Sequence, residues 1–115
     1  MTHLFHPARD DMRISRVLAA LADPVRLHLV AQVADGSERS CAAEEWGVQV
    51  HKSTLSHHFR VLREAGVTMT RVDGRNRWIR LRRADLDARF PGLLAAVLAA
   101  LPEEAAHPQD RAAAS

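Results

Sequence analysis

Apolar residues recur along this chain first with a helical period, then with a period of two, and finally merge into one uncharged run. From Asp10 onward, Ile14, Val17, Leu18 and Leu21 fall on one side of a helix. Asp10 and Asp11 suit its positive end. Asp23 has the chemistry of an N-cap and Pro24 that of a first helical position, so a second helix is expected through about Asp35, closed by Gly36. A third, short helix is expected within Ser37 to Gly47, capped by Ser40 and ending at Trp46. In the next stretch, Leu55, His58, Phe59, Leu62 and Ala65 share one side of a helix while Ser53, His57, Arg60 and Glu64 share the other. Gly66 follows where a C-cap requires positive φ.

The period then changes. Residues 67–72 and 77–81 flank Asp73-Gly74-Arg75-Asn76, and an Asp-Gly pair between two such runs signals a β-hairpin. Trp78 lies on the hairpin face opposite Ile79 and Leu81, where packing along the hairpin is favoured over stacking on bases. Pro91 disfavours helix at the residue before it, so a short turn over 84–89 should precede a longer helix from Pro91 to Leu101. The expected fold is mainly α with a small β-hairpin: about five helices and a two-stranded wing. Residues 1–9 read as a flexible lead, 10–101 as one domain and 102–115 as a disordered tail. A chain of 115 residues can support one core that buries roughly two-thirds of the unfolded surface.

Charge changes the picture. Between His51 and Arg83 stand nine bases (Lys52, Arg60, Arg63, Arg71, Arg75, Arg77, Arg80, Arg82 and Arg83) against Glu64 and Asp73, a net +7. The chain holds 16 bases and 14 acids, so the remainder carries 7 and 12, a net −5. A formal +2 conceals a basic third on an acidic body, the separation expected of a nucleic-acid-binding surface. The polar side of the 53–66 helix opens with hydroxyls, an imidazole and a guanidinium, groups that reach base edges and phosphates from a helix in the major groove. A helical pair followed by an Arg-tipped hairpin is the order of a winged helix-turn-helix. The DNA-binding set expected from this order is Lys52, Ser53, Thr54, Ser56, His57 and Arg60 from the helix, with Arg71, Arg75 and Arg77 from the wing. His58 points to the Leu55 and Leu62 side and is expected to pack as a core histidine.

Three stretches resemble a known family: Leu21-Ala22-Asp23-Pro24-Val25-Arg26-Leu27, the run from Ser53 to Val67, and the Gly74-Arg75 wing. They are similar to the arsenical-resistance repressor (ArsR/SmtB) family of bacterial transcription factors over about residues 12–100. The resemblance implies a homodimeric, effector-responsive repressor that binds double-stranded DNA at an inverted repeat. Two departures stand out: the connection Val48 to Lys52 is longer than the common pattern, and His51 stands where many members have serine. Two metal sites known in the family are incomplete here. The stretch Glu38-Arg39-Ser40-Cys41-Ala42 holds one thiol rather than two, and residues 85–101 hold Asp85 and Asp87 but no histidine. No metal, no cofactor and no identified effector are therefore expected.

The last helix bears on assembly. Residues 91–101 contain no charge, and a helix apolar all round must be covered all round. A second copy of the chain is the expected cover, through Ile14, Val17, Leu18, Leu93, Leu94, Val97, Leu98 and Leu101. The sequence has no secretory signal pattern and no apolar run long enough for a bilayer, and one cysteine makes no internal disulfide; a cytoplasmic protein without membrane contact is expected. Cys41 is read first as a small packing residue, with two alternatives left open: a reactive thiol activated by the start of the third helix, or a metal ligand aided by His3, His6, His51 or a partner subunit. Catalysis lacks a phosphate loop, a carboxylate pair or a zinc-type cysteine pair. The alternative to a DNA-binding regulator is a winged-helix adaptor that uses its arginines on acidic protein partners.

Overall fold

The computed structural model describes residues 4–42 and 46–106. A 3-10 turn over Arg9–Asp11 leads into α1 (Ile14–Leu21) and α2 (Pro24–Gln32). Strand β1 (Arg39–Ser40) precedes α3 (Lys52–Ala65); β2 (Thr68–Asp73) and β3 (Asn76–Leu81) form the hairpin, and α4 (Arg83–Arg89) and α5 (Leu93–Ala106) close the chain.

Several boundaries differ from the sequence reading, each for a local reason. The first helix begins at Ile14, because Met12 takes extended backbone (φ −70°, ψ 133°) and is almost fully buried; Asp10 and Asp11 belong to the preceding 3-10 turn. The second helix opens as expected, with Asp23 Oδ1 accepting from the backbone N–H groups of Val25 (2.8 Å) and Arg26 (3.1 Å), but stops at Gln32. Ser40 is no helix cap. Arg39 pairs with Ile79 and Ser40 with Trp78, so the wing is a three-stranded antiparallel sheet in the order β1-β3-β2. The rest of the expected third helix includes residues 43–45, which lie outside the described residues. Helix α5 runs through Pro102 to Ala106, past the boundary read from sequence, and 107–115 lie outside the described residues.

Fully buried Val17, Leu29, Val30, Leu55, Leu62, Val67, Ile79, Leu86 and Leu94 draw on every helix and the sheet, giving one contiguous core. Residues 4–9, expected as a loose lead, are tied down: the Thr70 N–H donates to His6 Nε2 (3.0 Å), Arg82 Nη1 donates to the Pro7 carbonyl (2.8 Å), and Arg9 pairs with Asp85 (2.8 Å). His6 covers a backbone group on the free edge of β2, which would otherwise be an open template for pairing. His3 lies outside the described residues.

Candidate nucleic-acid interface

The helix that carries the candidate interface is fixed from below and behind. Leu55, His58, Phe59, Leu62 and Ala65 are all buried, the same five residues the helical period selects. At its C-terminal end Gly66 adopts φ +92°, and the Val67 N–H returns to the Leu62 carbonyl at 2.9 Å, satisfying a terminal carbonyl as a left-handed cap does. A side chain at Gly66 would also place its Cβ 2.8 Å from Met12 Cγ. Before α3, Trp46 is buried edge-on against Phe59 with ring centroids 5.0 Å apart. Its indole N–H donates to the Ser40 carbonyl (2.8 Å), and its own carbonyl accepts from Gln32 Nε2 (2.7 Å). That anchor ties the connection before α3 to both α2 and β1. The longer connection thus delivers a helix that starts at Lys52, with His51 at the cap position making no side-chain cap bond.

On the opposite side, Lys52, Ser53, Thr54, Ser56, His57 and Arg60 are all exposed. Arg75 and Arg77 are exposed on the wing, Arg75 at its tip. Asp73 pairs with Asn76, leaving Gly74 and Arg75 as the two turn residues, with φ +62° at Gly74 and no positive φ at Arg75. That is the II′ pattern, so the turn is centred on Gly74-Arg75 rather than Asp73-Gly74. Among the described residues, Lys52, Arg60, Arg75 and Arg77 make no ion pair with a carboxylate. Their charge faces solvent uncompensated, which suits an anionic partner.

Other bases of the same stretch are occupied. Arg82 is buried and bonded to Asp85 (3.0 Å), and Arg83 pairs with Asp87 (3.4 Å). Arg71, expected to reach DNA from the wing, donates from Nε and Nη2 to the two carboxylate oxygens of Glu38 at 3.1 and 3.0 Å, and lies over the Trp78 ring at 5.9 Å. Both partners respond: the Glu38 carboxyl is held below, and the Arg71 guanidinium above, its ordinary value by their shared hydrogen bond. Arg71, expected in the DNA-binding set, is thus engaged by Glu38 on the sheet while its side chain stays exposed. Trp78 packs there, half-buried.

Sequence reasoning passed over Arg63. It is half-buried, its Nε is fully buried without a hydrogen-bond partner, and burial, with Arg77 and Arg60 nearby, pushes its guanidinium below the ordinary value. The charges of Arg60 and Arg77 thus lie near enough to act on Arg63. A signal was available, since 63 follows 59 and 60 by one helical turn, but a half-apolar neighbourhood concealed it.

The expected assembly residues divide. Val17 and Leu94 are buried in the subunit's own core and leave no side chain for a partner, which corrects their placement at a seam. Ile14 (43 % exposed) and Leu18 (48 %) stand out on α1, while Leu93, Val97, Leu98 and Leu101 on α5 are half-buried. Cys41 follows directly on β1, its N–H donating to the Arg77 carbonyl (3.0 Å), and packs half-buried against the core. The helix start on Ser40 that would activate it is not there. Among the described residues, no group of three or more His, Cys, Asp or Glu side chains is placed to hold a metal ion, and no helix is long and apolar enough to cross a membrane.

A helix with an exposed polar side, seated on a core and followed by an Arg-tipped hairpin, is the arrangement of a winged helix-turn-helix domain. The profile of a family described as "Bacterial regulatory protein, arsR family" matches residues 23–67. An HTH-type transcriptional regulator of Bacillus subtilis, YceK, is 36 % identical over 86 residues, 74 % of this chain and 86 % of the relative. The arsenical resistance operon repressor of Staphylococcus aureus is 34 % identical over 74 residues, 64 % of this chain and 70 % of the relative. Among solved structures, a homodimeric winged helix-turn-helix DNA-binding domain from Mycobacterium bovis superposes with a TM-score of 0.60, at 24 % identity over 82 % of each chain. The chain belongs to the arsR family of bacterial regulatory proteins; it is a regulator of transcription rather than an enzyme.

Proposed function

We propose that this protein is a cytoplasmic homodimeric repressor that binds an inverted-repeat operator and leaves it on an effector signal. The observation that carries the reading is the exposed run Lys52, Ser53, Thr54, Ser56, His57 and Arg60 on one side of α3, with the unpaired Arg75 and Arg77 beside it. Helix α3 enters the major groove with its N-terminal end leading, hydroxyls and His57 reach base edges, and Arg60 reads a base or clamps phosphate. Arg75 and Arg77 hold backbone or minor groove, joined at the helix–wing junction by Arg63. The dimer forms through Ile14 and Leu18 of α1 with Leu93, Val97, Leu98 and Leu101 of α5. Homodimerisation of the Mycobacterium bovis domain and the repressor name of the Staphylococcus aureus relative support the assembly and the sign of regulation. The effector is unidentified.

Selection of bound fragments from genomic DNA, followed by titration on the recovered site, tests the proposal. The expected result is an inverted repeat whose half-sites lie about one helical turn apart, with affinity falling steeply as salt rises. Recovery of no preferred sequence, or binding of the wild-type chain as a monomer to a single half-site, overturns it.

A further inference from the structure

Arg26, in the first turn of α2, takes no part in the DNA-facing surface, yet its guanidinium is fully engaged. Nε donates to the Ala20 carbonyl at 2.6 Å and Nη2 to the Ala19 carbonyl at 3.3 Å. Nη1 lies 3.0 Å from Nδ1 of His58. The two carbonyls belong to the last turn of α1, where few helical carbonyls keep an intrahelical partner; that of Ala19 also accepts from the Ala22 N–H at 3.3 Å. The imidazole sits on the buried side of α3, one residue from the exposed His57. One planar fork therefore joins the end of α1 to the middle of the recognition helix, and the Asp23 cap holds the Arg26 backbone in place (3.1 Å).

The chemistry of the pair fixes the histidine. A guanidinium offers only donors and does not deprotonate, so His58 Nδ1 accepts and the imidazole is neutral, with its proton on Nε2. The charged and titratable groups facing it are Asp23 and Arg26 from α2 and His57 from its own helix; α1 contributes only the carbonyls that hold Arg26. Burial, then Arg26 and His57, hold the imidazole below its ordinary value against the opposing pull of Asp23. Protonation converts the acceptor into a donor facing a cation, which ends the bond.

We infer that Arg26 is a positioning residue for DNA recognition, locking α3 through neutral His58 to the end of α1 and so to the helix that bears exposed Ile14 and Leu18. The inference rests on the proposed operator binding and deepens it. Two recognition helices fit one inverted repeat only if each is held at a fixed angle to the dimer axis. The link matters for base reading and little for phosphate attraction, which is independent of sequence.

The test compares the recovered operator with a scrambled duplex of equal length, using the full chain. Arg26→Met and His58→Leu should each weaken operator binding roughly tenfold or more. Affinity for the scrambled duplex, the salt slope and sedimentation as a dimer should stay as in the wild type. The double variant should be no weaker than either single one, because both remove the same link. His58→Asn, whose Oδ1 replaces Nδ1 as acceptor, should restore operator affinity. Between about pH 7.5 and about pH 5.5 the wild type should also lose operator affinity relative to His58→Asn, a comparison that isolates position 58 because every other residue is common to both chains. That arm carries the test alone if the apolar variants do not fold. Equal losses on both duplexes with a lowered melting temperature, unchanged operator affinity in the variants, or identical pH profiles for wild type and His58→Asn overturn the link. A wild-type chain that retains no genomic fragment overturns the repressor reading and the link together.

Discussion

Helices α3 and α5 are both 14 residues long, and they reach their places by opposite means. Helix α3 is divided: five buried residues face the core, while lysine, hydroxyls, an imidazole and a guanidinium face water. Its sequence states which way it faces. Helix α5 from Leu93 to Leu101 has no charged residue to mark an outside, and only Leu94 is fully buried; Ala95, Ala96, Ala99 and Ala100 are exposed. A stretch so uniform can roll about its axis at small cost, and its contacts with α2 and α4 decide the roll. Polarity fixes orientation only where it is unevenly distributed.

The largest expected effect breaks the apparent equivalence of the α5 leucines. Leu94→Asp places an unpaired charge in the subunit core and should cost about 3–5 kcal/mol, enough to leave the chain largely unfolded by circular dichroism. Leu18→Asp, at an exposed position, should leave the far-ultraviolet spectrum intact and convert the dimer to monomer by sedimentation. Equal unfolding of both variants would erase the distinction between core and seam.

Next in size is the anchor of α3. Gly66→Ala forces a side chain into positive φ and against Met12, and should lower stability by about 1–3 kcal/mol in urea titration without changing the slope. A neutral result would mean that the helix end relaxes freely. The polar side of α3 comes third. Arg60→Ala should weaken operator binding by about 1–3 kcal/mol if a base is read, while Arg75→Ala should weaken all duplexes alike and reduce the salt slope by about one. Both variants binding with wild-type affinity and salt dependence would remove these residues from the interface.

Acidity offers a gentler probe of the same helix. The folded chain holds His58 neutral below the ordinary imidazole value, so the unfolded chain binds the proton first. Stability from this residue is complete above about pH 6.5 and should fall as the pH drops below it; His58→Asn should flatten that part of the melting-temperature profile. The smallest effects should come from groups the fold has already occupied. Arg71→Gln should leave operator affinity close to that of the wild type, since Glu38 holds the guanidinium on the outer face of the sheet. Cys41→Ser should likewise leave DNA binding unchanged, and loss of oxidant- or metal-triggered release in that variant would make the thiol a sensor.

Much of this was legible in the residues themselves. The Asp23 cap, the buried side of α3, the left-handed Gly66, the hairpin over 68–81 and the polar face from Lys52 to Arg60 all follow from local rules: a period, a capping oxygen, a residue without Cβ. Local rules suffice there because each feature is settled by residues within a few positions of one another. The same rules failed at Ser40. A serine before an apolar stretch reads as a cap, but here its backbone is claimed by Trp78, 38 positions away, as the third strand of the wing.

Charge shows the division most plainly. The sequence determined that this protein carries a basic third on an acidic body, and which side of α3 is polar, because composition and helical period need no partner. Only the tertiary structure decided that Glu38 takes Arg71, 33 positions away, and that Lys52, Arg60, Arg75 and Arg77 have no such carboxylate among the described residues; the pairs of Arg82 with Asp85 and Arg83 with Asp87 are one-turn neighbours that helical spacing already allows. It also decided that Val17 and Leu94 face inward while Leu18 faces out, and that Arg26 of α2 holds the recognition helix by a histidine 32 positions later. Long-range ion pairs and burial depend on distances across the fold, and separation along the chain carries no record of them.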